Sequence, residues 1–280
     1  LLVEVGVRAD GFLQDPGGTV FEPSPRLAVK RFLREGELAL KFAAGRYTQF
    51  IHSLRDEELP LGLDVWVVAR EDVPHTVSDQ VQIGVEGWRD IDWFWSIEGY
   101  YRSFDGVVTL NTVDNPNDDS DDILGGTGLS WGADLMIRKE TGDVNGWLAV
   151  SFLKAERSFP DLLSPLTPSP EITYPPIFDR RLDVDFVLTY PAPWGWTGGL
   201  RWNFGTGIPY TRAVGSYAYY SPRYVEGGGL DWTGDGDVAA TGGYGVVLGE
   251  RNSARYPFYH RLDVSFRRSF PKKWGALTPY

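Results

Sequence analysis

Cysteine is absent, methionine occurs once, and there are only three histidines: His52, His75 and His260. Without cysteine there is no disulfide scaffold, no thiolate metal site and no thiol nucleophile. Long apolar runs are missing too. The longest candidate, residues 65–69, falls far short of the roughly 18 residues that a membrane helix needs. An excess of positive charge is also lacking: 27 Lys and Arg stand against 38 Asp and Glu, a net charge of −11. That argues against nucleic acid as the main partner, because phosphate neutralisation needs a basic face. Finally, the chain opens Leu1-Leu2-Val3-Glu4, with neither an initiating methionine nor a basic leader. A chain that opens inside a patterned segment is expected to be a fragment.

What is present is turn-rich and aromatic-rich: 33 Gly and 19 Pro, with 11 Trp, 14 Tyr and 15 Phe. A hydrophobic content of 42% is too high for a disordered chain. The dominant signal is period-two alternation, the signature of strands. Val3, Val5 and Val7 alternate with Glu4, Gly6 and Arg8. Leu38, Leu40 and Phe42 alternate with Ala39, Lys41 and Ala43. Val81, Ile83 and Val85 face away from Gln82, Gly84 and Glu86. The same holds for Trp93, Trp95 and Ile97; for Leu129, Trp131, Ala133, Leu135 and Ile137; for Leu182, Val184, Phe186 and Leu188; for Leu200, Trp202 and Phe204; and for Leu262, Val264 and Phe266. Residues 26–33 and 147–155 alternate less cleanly, and a last strand starts near Ala276. About ten complete strands result, with little room for helix.

Alternation fits a soluble sandwich, whose apolar face points inward, and equally an outer-membrane barrel, whose apolar face meets lipid. Connection lengths separate the two. Short turns are expected at residues 34–36, 89–92, 140–145, 191–195 and 271–275. Long connections are expected at 11–24, 48–79, 105–127, 157–178 and 206–257. The two kinds alternate strictly, which puts every long connection at one end of a meander. Outer-membrane barrels have this asymmetry, with short periplasmic turns and long extracellular loops. Trp88, Trp93, Trp95, Trp147, Trp194, Trp196 and Trp274 cluster beside the short turns, where a girdle of amphipathic rings would meet the membrane boundary.

Several segments also resemble one family. Gly6-Val7-Arg8-Ala9-Asp10 followed by Pro23-Ser24-Pro25-Arg26-Leu27-Ala28 resembles TonB-dependent outer-membrane receptors. So do Ala44-Gly45-Arg46-Tyr47-Thr48-Gln49-Phe50 and Glu98-Gly99-Tyr100-Tyr101-Arg102-Ser103-Phe104-Asp105. Further on, Phe204-Gly205-Thr206-Gly207-Ile208-Pro209-Tyr210, Tyr256-Pro257-Phe258-Tyr259-His260-Arg261-Leu262-Asp263-Val264 and Lys273-Trp274-Gly275-Ala276-Leu277-Thr278-Pro279-Tyr280 are similar to it in the same order. The family fold is a barrel of about 22 strands around a plug. The resemblance implies that residues 1–280 are the C-terminal half of such a barrel, an antiparallel up-and-down meander without plug, TonB box or final strand. It implies localisation in the outer membrane and uptake of a bulky nutrient such as a siderophore, a corrinoid or a glycan. The implied partners are outer-membrane lipid, an extracellular small-molecule ligand, and the TonB complex acting through the missing plug. A passive porin-like or adhesin-like barrel is the alternative, and a soluble all-β carbohydrate-binding or hydrolytic protein a third.

On this reading the polar strand faces line a lumen. The candidates are Glu98, Arg102, Asp134, Arg138, Asp183, Asp185, Arg201, Asp263 and Arg267, with Arg8, Lys41 and Glu86 beside them. No enzyme, cofactor or metal site is expected. The histidines carry no ligand spacing, and no motif fixes a Ser–His–Asp geometry. Asp183 and Asp185 could form an acid–base pair, but a charged wall explains them better. The acidic run 114–122 could hold Ca²⁺; a solvated loop tip is the simpler reading. Residues 231–237 begin like an EF-hand loop, but Gly242 stands where that loop needs a bidentate Glu. Gly126-Thr127-Gly128 and Gly243-Tyr244-Gly245 do not continue into a phosphate-binding pattern. The Pro-rich stretch 160–176 reads as a stiffened loop. Tyr210, Tyr217, Tyr219, Tyr220 and Tyr224 could stack on a ligand or pack the longest loop against itself.

Overall fold

Period-two patterning becomes a sheet because successive side chains on a strand point to opposite faces. The computed structural model describes residues 1–14, 18–34, 36–54, 65–90, 92–111, 122–160, 171–220, 223–225, 229–231, 242–272 and 275–278. The first part of the chain holds β1 (Leu2–Gln14), β2 (Gly18–Arg34), β3 (Leu38–Gln49), β4 (Ile51–Leu54), β5 (Val65–Val68), β6 (Thr76–Arg89) and β7 (Trp93–Leu110). The middle holds β8 (Ile123–Lys139), β9 (Asn145–Phe159), β10 (Ile172–Tyr174), β11 (Leu182–Ala192) and β12 (Trp196–Gly205). There follow β13 (Pro209–Tyr210), β14 (Ala213–Tyr220), β15 (Arg223–Val225), β16 (Gly229–Asp231), β17 (Gly242–Leu248) and β18 (Ala254–Arg255). The last are β19 (Tyr259–Arg267), β20 (Phe270–Lys272) and β21 (Gly275–Leu277). No α-helix occurs among the described residues.

One antiparallel sheet dominates, in the order β1-β2-β3-β6-β7-β8-β9-β11-β12-β19, with β10 added alongside β9. These ten path strands are the ten that alternation predicts, and they form an up-and-down meander. The short turns sit where expected. Glu37 N–H donates to the Arg34 carbonyl at 3.2 Å, and Gly36 between them takes φ +74°, a conformation natural to glycine. Pro193–Gly195 close the β11–β12 turn as a single 3-10 turn. The strand expected near Ala276 is β21, paired with β20 in a hairpin outside the main sheet.

The long connections differ from expectation, because much of their length is itself paired backbone. Residues 11–14 and 18–24, read from sequence as a loop, extend β1 and β2, pairing as far as Gln14↔Gly18. Likewise β7 runs on to Leu110 and β8 begins at Ile123, past a bulge between Asp105 and Val107. The bulge inserts one residue, Gly106 at φ +75°, and so reverses the alternation that a sequence pattern relies on. The remaining connections contain the hairpins β4–β5, β13–β18, β14–β17 and β15–β16.

The register assigns every side chain of the wall to a face. Leu40, Val85, Ile97, Leu135, Val150, Val184 and Phe204 are direct cross-strand partners in one row over seven strands. The adjacent row, on the opposite face, is Lys41, Gly84, Glu98, Asp134, Ser151, Asp183 and Gly205. The apolar face is the exposed one: Ile83 is 65% and Val264 54% accessible. Glycines let large partners lie flat across it and across the polar face. Tyr190 covers Gly198, Trp95 covers Gly87 and Tyr100 covers Gly132, each directly opposite.

Fully buried apolar side chains gather instead at the long-connection end. Leu54, Val73 and Val108 form a core, with Val67, Leu110 and Ile123 packed on it. Phe159 and Tyr174 stack nearby with ring centres 5.9 Å apart. We refer to this end as the cap.

Candidate functional site

The polar face of the wall is where charged side chains converge. All twelve sequence candidates share it: Arg8 on β1, Lys41 on β3, Glu86 on β6, Glu98 and Arg102 on β7, and Asp134 and Arg138 on β8. Asp183 and Asp185 on β11, Arg201 on β12, and Asp263 and Arg267 on β19 complete the set. The fixed parity of paired strands places them so, since each pairing keeps opposed residues on one side.

The densest part is a chain of alternating charge across β2, β3, β6 and β7. Lys30 Nζ pairs with Glu86, Lys41 Nζ bridges Glu86 at 2.9 Å and also Glu98, and Gln82 Nε2 donates to Glu98 at 2.5 Å. Lys30, Lys41, Gln82 and Glu98, with Glu4, line a groove of about 220 Å³. Lys30 and Gln82 were not among the sequence candidates. Lys30 lies on a strand whose alternation is blurred, since Phe32 joins it on the polar face and Arg31 turns to the apolar one. Gln82 carries no charge to attract notice.

Elsewhere on the same face the groups pair more locally. Arg180 Nη1 meets Asp183 at 2.9 Å, Asn203 donates to Asp185, and Arg261 Nε meets Asp263 at 2.9 Å. Arg201 is directly opposite Asp263. Arg102 lies over the Tyr100 ring at 4.6 Å, and Arg138 over Phe94 at 5.1 Å. Asp183 and Asp185 are therefore each engaged by a separate partner, as a charged wall would have them.

The other motifs fall as follows. His52 is buried in β4, its Nε2 donating to the Pro74 carbonyl at 2.9 Å. Burial holds its imidazole below the ordinary value, and nearby His75 adds to that. His75 meets Glu22 at 3.3 Å, while His260 lies on the apolar face of β19 beside Phe258. Gly126 sits within β8, where an added Cβ would come within 2.2 Å of the Ser158 carbonyl oxygen. Gly243-Tyr244-Gly245 belongs to β17. Tyr210 stacks on Tyr256 at 4.4 Å, and Tyr217 is exposed; the side chains of Tyr219, Tyr220 and Tyr224 lie outside the described residues. So do residues 114–121 of the acidic run, 232–237 of the EF-hand-like turn, 161–170 of the Pro-rich stretch, and Trp274.

The aromatic girdle needs correction. Trp93, Trp95 and Trp196 are on the apolar face near the short turns, and Trp194 is at a turn tip, 83% exposed. Trp88 and Trp147 are on the polar face, Trp88 packing 5.2 Å from Phe94. A tryptophan beside a turn follows strand parity, which nearness in sequence to the turn does not reveal.

On the apolar face, charge is confined to the two ends of the strands. At the cap end, Arg46 pairs bidentately with Asp79 at 2.7 and 2.8 Å, and Lys154 with Glu156 at 2.7 Å. At the turn end stand Arg31, Arg89 and Lys139. On the apolar face of β6 the interval between Asp79 and Arg89, residues 80–88, carries no charge, its positions on that face being Val81, Ile83, Val85 and Gly87. A transmembrane strand needs about 9–11 residues, and this interval has that length.

No protein-family model matches the chain, and no curated protein is significantly similar to it. Among solved structures, it is similar to the FrpB iron transporter from Neisseria meningitidis (F3-3 variant), with a TM-score of 0.54 and 12% identity over 95% of this chain. The chain spans 36% of the length of that transporter. At this identity the likeness is one of fold: a long antiparallel meander of the kind that forms part of a transporter barrel.

Proposed function

We propose that residues 1–280 form part of the wall and the extracellular connections of an outer-membrane barrel for TonB-dependent uptake of a bulky nutrient, such as a ferric siderophore, a corrinoid or a glycan. The observation that carries this is the inverted sheet: a band of exposed aliphatic and aromatic side chains, bounded by charge at both ends, backed by a face of paired ions. In water such a band would be an exposed apolar patch far beyond what monomers tolerate. Against hydrocarbon it is the stable arrangement, with the polar side lining a wet lumen.

The sheet also has two outer strands, β1 and β19, each with one unpaired edge among the described residues. Lipid does not accept open edges, so closure calls for further strands. In this reading the barrel has about 22 of them, and this chain supplies the C-terminal half. The mixed charges of the polar face anchor a polar plug, through which the TonB complex acts, and the connections at the cap end capture the ligand. The chain carries out no chemistry of its own and has no role with nucleic acid.

The test is uptake by cells expressing the protein, with and without TonB, given a panel of ferric siderophores, cobalamin and oligosaccharides. Import of one of these that stops without TonB, while surface binding persists, is the expected result. Import that is indifferent to TonB would replace this reading by that of a passive pore.

A further inference from the structure

At the turn end of the apolar face a groove of about 400 Å³ runs between β8 and β11. Its walls include Trp93, Ile137, Leu148, Phe186 and Leu188, with Lys139 at the lip. The ladder explains the notch. On this face Gly146 of β9 is directly opposite Lys139 on one side and Leu188 on the other. It carries no side chain, and an added Cβ would meet the Val187 carbonyl oxygen at 2.1 Å, so the position stays bare. The side chains that wall the groove, Trp93, Ile137, Leu148, Phe186 and Leu188, belong to the apolar face.

The lip is basic. Arg89, Trp93 and Lys139 are consecutive cross-strand partners on β6, β7 and β8. Lys139 Nζ reaches over the adjoining turn and donates to the Thr141 carbonyl at 2.5 Å. An ammonium has three donors, and this bond uses one of them. Arg89 is exposed. Asp92, the carboxylate of the neighbouring turn, accepts a hydrogen bond from Thr141 Oγ1. An apolar slot that ends at Lys139 and an indole, with Arg89 one strand beyond that indole, matches one class of molecule: an acyl chain followed by a phosphate.

We propose that this groove binds one phospholipid of the surrounding membrane, an acyl chain lying between Leu148 and Leu188 and the phosphate held by Lys139 and Arg89. The site rests on the reading of the apolar face as a lipid-facing wall. It adds to that reading a fixed lipid, at one defined place on the periplasmic side. Charge complementarity selects the occupant, since an anion completes the lip and a hydrocarbon tail the slot; no polar partner satisfies both.

The experiment uses the protein expressed in its own membrane, extracted in mild detergent and exchanged into micelles containing phosphatidylglycerol. Native mass spectrometry counts the retained lipids. Two variants act on separate parts of the site. Lys139→Glu reverses the lip charge, and Val144→Trp fills the turn end of the groove, where Val144 is 42% exposed. Each is expected to lower the most tightly retained phosphatidylglycerol about tenfold, the scale of one charge-assisted contact or of one lost apolar slot. Heat-modified electrophoretic mobility checks that both variants assemble. Retention equal to that of the parent in either assembled variant would overturn the proposal while leaving the wall reading intact. If the parent protein failed to enter the membrane fraction, the wall reading itself would fall.

Discussion

The wall and the cap obey opposite rules within one chain. In the wall, Ile83, Ile97 and Val264 are exposed while Lys41, Glu86 and Glu98 are half-buried against one another. In the cap, Val73 and Phe159 are fully buried. So is Asp179, but with every acceptor in use: it takes the Ala155 amide at 2.7 Å, Arg181 at 3.2 Å, and Arg255. Asn252, 1% exposed, accepts no less careful pairing, its Nδ2 donating to the Pro175 carbonyl at 2.9 Å and its amide to Thr211 Oγ1 at 3.1 Å. Burying apolar groups stabilises only where the alternative is water. The cap follows the rule for a protein surrounded by water; the wall follows it only in the proposed setting, with its apolar side against hydrocarbon. The change occurs along single strands, between the Arg46–Asp79 level and the bulge at Gly106.

The sharpest way to break this contrast is to attack the cap at Asp179. It ties β9, the start of β11 and the end of the long β12–β19 connection through the contacts above. Asp179→Ala leaves Arg181 and Arg255 without their shared carboxylate. Breaking a buried pair from one side costs about 3–5 kcal/mol. The expected outcome is rapid proteolytic cleavage within residues 206–257 while the barrel keeps its heat-resistant mobility. Loss of barrel assembly instead would mean that cap and wall are one cooperative unit.

Next in size is the wall. Val184→Arg and Leu135→Arg place a cation in the central apolar row, at about 2–4 kcal/mol for the bilayer midplane. Asp183→Arg and Asp134→Arg, one residue away on the other face, are expected to be mild in a wide lumen. Assembly in vivo and heat-modifiable mobility report the difference. If all four variants folded as soluble protein, the comparison between wall and cap would collapse into a single aqueous domain.

How much of this was legible in the sequence follows the same division. The ten wall strands were readable because one face repeats Val, Ile, Leu and aromatics at period two, and all twelve candidate charges share the opposite face for the same reason. Parity is a local property, so it survives without knowledge of the partner strand. The cap was not legible. Gly106 shifts parity in mid-strand, Pro23 and Pro25 look like loop residues although they pair within β2, and Asp179 acquires two of its three partners from residues 24 and 76 positions away. Trp88 and Trp147 show the cost of arguing from nearness to a turn instead of from parity.

A smaller effect separates the regions by pH. Burial keeps His52 neutral in the folded cap, with its pKa depressed below the ordinary value. The unfolded chain therefore binds the extra proton more readily, so stability is fully present above about pH 6.5 and is lost as pH falls below it, at most about 1.4 kcal/mol per unit. The protection of β4 and β5, that is their exchange measured against the intrinsic rate at each pH, is expected to fall between pH 7 and pH 5.5, and His52→Gln to remove that dependence. The strands of the wall, which have no histidine on their apolar face below His260, are expected to keep the same protection over this range, so that only the intrinsic chemistry changes their exchange with pH.

The smallest effect locates the boundary itself. On β9 the apolar-face positions run Val150, Phe152, Lys154 and Glu156, from the central row to the cap end. The Lys154–Glu156 pair is about one-third exposed on both sides, and breaking such a pair with Glu156→Gln is expected to cost only about 0.2–1 kcal/mol. An arginine walked along the same positions is the sharper measurement. A charge costs about 0–1 kcal/mol near the membrane interface and more toward the midplane, so the penalty should be smallest at Glu156, intermediate at Phe152 and greatest at Val150. Urea midpoints of the refolded barrel in lipid give the profile. A gradient that rises from Glu156 toward Val150 puts the edge of the hydrocarbon at the Glu156 end, the row that Glu156 shares with Leu129, Ser103, Asp79 and Arg46. A flat profile would mean that the apolar band is covered by protein, and the exposed row from Leu40 to Phe204 would then be half of an interface.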